Sequence, residues 1–310
     1  MGLNLDDLSD TLPRPTDGVA EVARAAFPPP TPTATAEVIA RPATERPAAP
    51  VLATSELFGN AQSVDAVFAA AKKRHGSLVV VNSKGGSGKT SILTLLAEVL
   101  SRGSERLVAA FDANTNHGLM AQRFICADPV NAEQLLLAIR PDSGYGLLDE
   151  LLGLSPYGTR IVASCADLRD RASYELLLGF LRRNSSFLLI DSGNDTHAES
   201  TDAALKFADL IVLCCNAKSS ESIQICRAMH ESMSRNEQTP VVVLTNAPTK
   251  RKAQDSLRAQ LGNPQLLCGI QHDPEIGRDH GLDISKLNPN TLRQAVNAIL
   301  TILGQLPKLA

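Results

Sequence analysis

Residues 79–91 read VVVNSKGGSGKTS. An apolar run that begins near residue 77 breaks into glycines at 85, 86 and 88, and a helical pattern takes over at 89. A strand, a glycine-rich turn and a helix in that order make a phosphate-binding loop. Glycines let backbone N–H groups wrap an anion, and the helix N-terminus adds positive potential. The usual spelling is G-x-x-x-x-G-K-[ST]. Gly88, Lys89 and Thr90 fit its end, but Ser83 stands where the first glycine belongs, and a second lysine, Lys84, follows it. Candidate phosphate-binding residues are Gly85, Gly86, Ser87, Gly88, Lys89, Thr90 and Ser91. In such a loop Lys89 neutralises β- and γ-phosphate charge and Thr90 ligates Mg²⁺.

Outward from this loop, β-rich runs alternate with helical ones. Strands are expected at 77–81, 106–111, 159–163, 187–190, 210–215, 240–245 and 265–270. Helices are expected at 63–74, 89–102, 117–125, 170–183, 198–207, 219–234, 250–261 and 291–304. In the first helix Ser63 is the candidate N-cap, and Lys72, Lys73 and Arg74 fall in the last turn. The strands are near-continuous apolar runs, so both faces of the sheet are buried. That predicts an α/β fold, doubly wound and mostly parallel, with helices on both sides.

Composition divides the chain. Nine of its 18 prolines lie in the first 50 residues, and its first lysine is Lys72. Residues 1–55 cannot bury enough surface to offset ordering entropy, so they read as a disordered Pro/Ala-rich arm, with one domain over 56–310. The arm is either inert or a docking arm for a partner. The N-terminus lacks an apolar signal region, and no apolar run approaches the roughly 18 residues that span a bilayer. A net charge of −3 gives no global field toward nucleic acid or anionic lipid. The six cysteines lack metal-ligand spacing, and Cys214 and Cys215 read as small buried hydrophobes in a reducing, cytoplasmic setting.

KGGSGKT at 84–90 resembles the deviant Walker A motif, KGGxGK[ST], of the ParA/MinD-type ATPases. The resemblance extends over residues 77–303 and implies ATP and Mg²⁺ as ligands. It implies a homodimer formed with ATP, in which Lys84 reaches the partner's phosphates. Asp112 matches the first acid of the family's switch I D-x-D; Asn114 stands where the second acid usually is. An amide cannot accept a proton from water at neutral pH, which implies slow or partner-stimulated hydrolysis. The resemblance counts Lys84, Lys89 and Asp112 as catalytic. SSFLLIDSGND at 185–195 resembles the Walker B strand and switch II: Asp191 would hold Mg²⁺ and Gly193 would meet the γ-phosphate. Asn246, just after a strand, matches a family position that contacts adenine. Gln271 replaces a usual proline, so no base contact is carried over there. The D-A-N…G-L…R form looks most like an actinobacterial MinD-like subgroup.

Family members use the ATP switch to bind a surface. The C-terminal segment has only Arg293 and Lys308 as basic residues and reads as a core-packing helix rather than a membrane anchor. Residues 250–252, KRK, with Lys206, Lys218 and Arg227, are a candidate DNA-binding patch; their ordinary meaning is a solvated surface. Three functions compete. One is an ATPase that positions or segregates cargo. Another is a regulatory ATP-binding protein with weak hydrolysis, associated with a secretion or cell-pole apparatus. The last is a nitrogenase-iron-protein-type reductase, against which the cysteine spacing argues.

Overall fold

The structure, a computed structural model, describes residues 61–82, 85–104, 107–114, 118–126, 129–140, 142–166, 168, 170–193, 198–235, 239–246, 251–278 and 281–308. The 1–55 arm, Ser83, Lys84 and Lys250 lie outside these residues, as does the 55/56 boundary.

Among the described residues nine strands form one sheet. They are β1 (Gly76–Val81), β2 (Val108–Asp112), β3 (Val130–Asn131), β4 (Gly153–Leu154), β5 (Arg160–Ala163), β6 (Phe187–Asp191), β7 (Leu210–Cys215), β8 (Val241–Thr245) and β9 (Leu266–Gly269). Their spatial order is β3-β5-β2-β6-β1-β7-β8-β9, and every pairing along it is parallel. β4 pairs antiparallel with the first half of β5, while β3 takes the second half of the same strand.

The helices are α1 (Ala61–Ala71), α2 (Lys89–Ser104), α3 (Met120–Arg123), α4 (Ala132–Ala138), α5 (Tyr145–Leu151), α6 (Arg171–Asn184), α7 (Glu199–Lys206), α8 (Ser220–Met233), α9 (Arg251–Gln260) and α10 (Pro289–Gln305). Two apolar layers flank the sheet. Leu78, Val80, Ala110, Leu189, Val212 and Leu244 face a layer that includes residues of α1, α2 and α10. Val79, Val81, Phe111, Ile190, Leu213 and Val243 face the other, built from α4 to α9. Successive strand residues therefore alternate between two buried faces, which is why the strands read as unbroken apolar runs. The doubly wound, mostly parallel α/β fold is present. α10 buries Leu292, Val296, Ile299, Ile302 and Leu303, as a core-packing helix should. Among the described residues no helix is long and apolar enough to cross a membrane.

Side-chain caps set several helix starts. Asp170 accepts the Ser173 N–H at 2.8 Å before α6, and Ser219 accepts the Ser222 N–H at 3.2 Å before α8. One expectation fails at α1. The helix begins at Ala61, so Ser63 lies within it and does not cap it. It ends at Ala71, and Lys72, Lys73 and Arg74 follow in a turn rather than completing the helix. Arg74 instead forms an isolated antiparallel bridge with Lys308, so pairing with the C-terminal segment overrides helical continuation.

Candidate nucleotide site

The sheet order places the glycine-rich loop. β1 is central, and the chain leaves it toward β2 on one side but returns to β7 on the other. In open α/β sheets the crevice beyond such a reversal is where ligands bind. The loop between β1 and α2 opens into it. Asn82, at the loop's start, is buried, and its amide donates to the Cys214 carbonyl of β7, which pins the loop to the neighbouring strand. Gly86 and Gly88 have φ of +74° and +87°, a region that glycine enters without strain.

A cavity of about 480 Å³ lies over this loop. Gly85, Gly86, Ser87, Gly88, Lys89, Thr90 and Ser91 all line it. So do Asp191, Asn114 and Asn246. Lys89 opens α2 and is largely buried; burial lowers its pKa, while the charge of Asp191 raises it. Thr90 Oγ1 donates to Asp191 Oδ2 at 2.5 Å. The second Asp191 oxygen, Oδ1, is buried and has no hydrogen-bond partner among the described residues, and neither has Ser87 Oγ. A buried carboxylate oxygen without a donor is costly. Two oxygens of the type Mg²⁺ takes, one of them unsatisfied, fit that ion. The backbone holds this pair in place: Ser192 N and Oγ donate to the Val80 carbonyl at 3.2 and 3.0 Å.

Asp112 is arranged differently. It pairs in register with Asp191 across β2 and β6 but does not line the cavity. Its carboxylate accepts the N–H groups of Asn114 at 3.1 Å and Met120 at 3.3 Å. Burial pushes both acids up, and the charge of Asp191 adds to the shift of Asp112. Asp112 thus holds the ends of the loop that carries Asn114. Gly193 lies against Asn114: a Cβ there would stand 3.3 Å from Asn114 Oδ1.

Gly118 lies over Asp112. A Cβ at Gly118 would stand 2.0 Å from Asp112 Oδ2 and 2.5 Å from Ser164 Oγ. Gly118→Ala is expected to cost about 2–3 kcal/mol through overpacking. Chemical denaturation measures this, and a loss under about 0.5 kcal/mol would mean that the loop moves aside freely.

Other lining residues carry no role read from the sequence. Asn216, just after β7, and Gln271, His272 and Asp273, after β9, also line the cavity. Gln271 is tied to α10: its N–H donates to Gln294 Oε1 at 2.7 Å and its Nε2 to Thr291 Oγ1 at 3.1 Å. Arg123 also lines the cavity and donates to the Ile276 carbonyl at 3.0 Å, which joins α3 to the segment after β9.

No protein-family model and no curated protein matches the sequence. Solved structures do match. A ParA family ATPase from Chlorobium tepidum aligns with a TM-score of 0.60 at 17% identity, covering 74% of this chain and 99% of that one. A putative plasmid partition protein from Borrelia burgdorferi, bound to AMPPNP, aligns with a TM-score of 0.57 at 15% identity, over 76% and 100%. The fold is that of the ParA and MinD ATPases. The septum site-determining protein MinD from Pyrococcus horikoshii, complexed with Mg-ADP, aligns with a TM-score of 0.52 at 15% identity, over 74% and 94%. These alignments cover about three quarters of this chain.

Proposed function

We propose that this protein is an ATP-dependent dimerising switch that hydrolyses ATP to position or segregate cargo, as partition ATPases do. One observation carries the reading: a glycine-rich loop at the sheet's reversal point, with the Thr90–Asp191 contact beside a cavity that the whole loop lines. The AMPPNP in the Borrelia structure and the Mg-ADP in the MinD structure support ATP and Mg²⁺ as its ligands.

The loop's N–H groups and the α2 N-terminus hold the phosphates, and Lys89 neutralises their charge. Thr90 and Asp191 would hold Mg²⁺, which supplies charge stabilisation to the transferring phosphoryl group. Gly193 gives the γ-phosphate backbone access. Asn114 orients water by hydrogen bonds but takes no proton, so turnover is slow until a partner protein, docked through the proline-rich sequence of residues 1–55, stimulates it.

Asn114 on the cavity wall also favours a second reading, a regulatory ATP-binding protein with weak hydrolysis at a secretion or cell-pole apparatus. Sedimentation of the full chain decides the first point: ATP with Mg²⁺ is expected to shift monomer to dimer, and EDTA to reverse it. A protein that stays monomeric at saturating ATP is not such a switch. Turnover with and without DNA separates the two readings. Stimulation by DNA favours the positioning ATPase on a nucleoid surface, and no turnover at any DNA concentration favours the regulator.

A further inference from the structure

We infer that Asn216 is a positioning residue that locks the Asn246 amide and thereby makes the site select adenine over guanine nucleotides. The inference rests on the nucleotide reading above, including the adenine contact at Asn246 that the family resemblance implies, and adds to it the residue that fixes this contact.

The pair follows from sheet register. Cys215 of β7 faces Thr245 of β8, so the next residue on each strand, Asn216 and Asn246, meet where the sheet ends in the cavity. The Asn246 amide is held at both ends. Its Oδ1 accepts the Ala217 N–H at 2.6 Å, and its Nδ2 donates to Asn216 Oδ1 at 2.9 Å. Asn216 is itself braced. Its Oδ1 accepts the Lys218 N–H at 3.0 Å, its N–H donates to Ser222 Oγ at 2.9 Å, and its carbonyl accepts the Ser219 N–H at 3.0 Å. Ser219 is the N-cap of α8, so the lock is anchored on a helix start.

The consequence is chemical. An amide has two N–H donors and two acceptor lone pairs. With one of each consumed, Asn246 keeps one N–H and one lone pair, and their directions are fixed. Adenine offers a donor next to an acceptor, N6–H and N7, which matches both. Guanine offers two acceptors, O6 and N7, and sets one against the fixed lone pair. A free amide would escape by rotating its N–H toward guanine. The Ala217 and Asn216 contacts forbid that rotation, because it would place Nδ2 against a backbone N–H and Oδ1 against a carbonyl-type oxygen.

The test is calorimetric titration of the full chain with Mg-ADP and Mg-GDP, which avoids turnover. Wild type is expected to favour ADP by about 10- to 100-fold, the worth of one well-formed bidentate base contact. Asn216→Ala is expected to reduce that ratio about tenfold, through recovered GDP binding as much as lost ADP binding. Asn216→Asp keeps the acceptor oxygen that both Asn246 and Lys218 use, so it is expected to retain the wild-type ratio even if both affinities fall. A merely structural role would lower both affinities together in both variants. If Asn216→Ala does not fold, Asn216→Ser, whose hydroxyl is too short to reach, asks the same question. An unchanged ratio in the Ala or Ser variant overturns the inference, as does an Asp variant that loses the ratio. A wild type that binds ADP and GDP equally overturns it while leaving the nucleotide reading standing. A wild type that binds neither overturns both.

Discussion

Lys84→Ala is expected to lower ATP turnover by about 10³-fold, the scale of a cation supplied to a transferring phosphoryl group from outside its own site. Nucleotide affinity is expected to stay within about threefold, because binding common to ground and transition states is untouched. The argument rests on the division of labour between two lysines. Lys89 opens α2, lines the cavity and feels the charge of Asp191, so the cis site already holds its phosphate cation. By resemblance Lys84 serves the phosphates bound by a second copy. Lys89→Ala should do the opposite and weaken nucleotide binding first. A mixing experiment sharpens the point. Lys84→Ala protein combined with Asp191→Asn protein should regain turnover, because each mixed dimer contains one site with an intact Asp191 facing an intact Lys84. A lysine that acts in cis predicts no regain. Wild-type turnover by Lys84→Ala alone would end the trans-lysine reading.

The seven longer strands were legible because parallel strands buried on both faces read as continuous apolar runs, and periodicity marked most of the helices between them, though the one expected at 117–125 is a single turn, Met120–Arg123. Residues 126–158 were not legible. β3 and β4 have two residues each, too short for any period, and α5 follows Gly144, an N-cap position with no side chain to cap it. α4 did carry a signal: Asn131 and Gln134 form a capping box, an N-cap and its N3 partner three residues on. At the site, the local elements were readable. The phosphate loop is one contiguous motif, and Asp191 announces itself at a strand's end. Asn216 was hidden because its significance comes from the register of β7 against β8, which no single stretch encodes. Gln271 was noticed only as a departure from a usual proline; its hydrogen bonds into α10 explain how the segment is held without one.

Glu98→Gln is expected to change how stability depends on pH, by about 4–5 kcal/mol across the neutral range. Glu98 lies on α2, nine positions after Lys89, and is only 1% exposed. Nothing in the apolar sequence around it distinguishes it from a solvated glutamate on an amphipathic helix. Its Oε2 accepts Ser155 Oγ at 2.8 Å and Thr159 Oγ1 at 3.0 Å, while Oε1 has no partner among the described residues. Burial pushes its pKa up to about 8, and the two hydroxyl donors oppose that shift without overcoming it. The folded protein therefore keeps a proton that the unfolded chain releases near pH 4.5. Below that pH both states are protonated and Glu98 adds no pH dependence. As pH rises toward 8 the unfolded state binds fewer protons than the folded one, so stability falls, and the loss is complete once the folded carboxyl ionises. Glutamine carries no such proton. It keeps an oxygen for Ser155 and Thr159, and whatever its amide N–H groups cost beside the unpartnered position is the same at every pH. The difference in unfolding free energy between Glu98→Gln and wild type should thus move in favour of the variant from pH 5 to pH 9. Urea denaturation at a series of pH values reads it directly. Parallel stability curves over that range would mean that the carboxyl is ionised in the fold, with water reaching a position that the packing of α2 against the Ser155–Thr159 turn closes off.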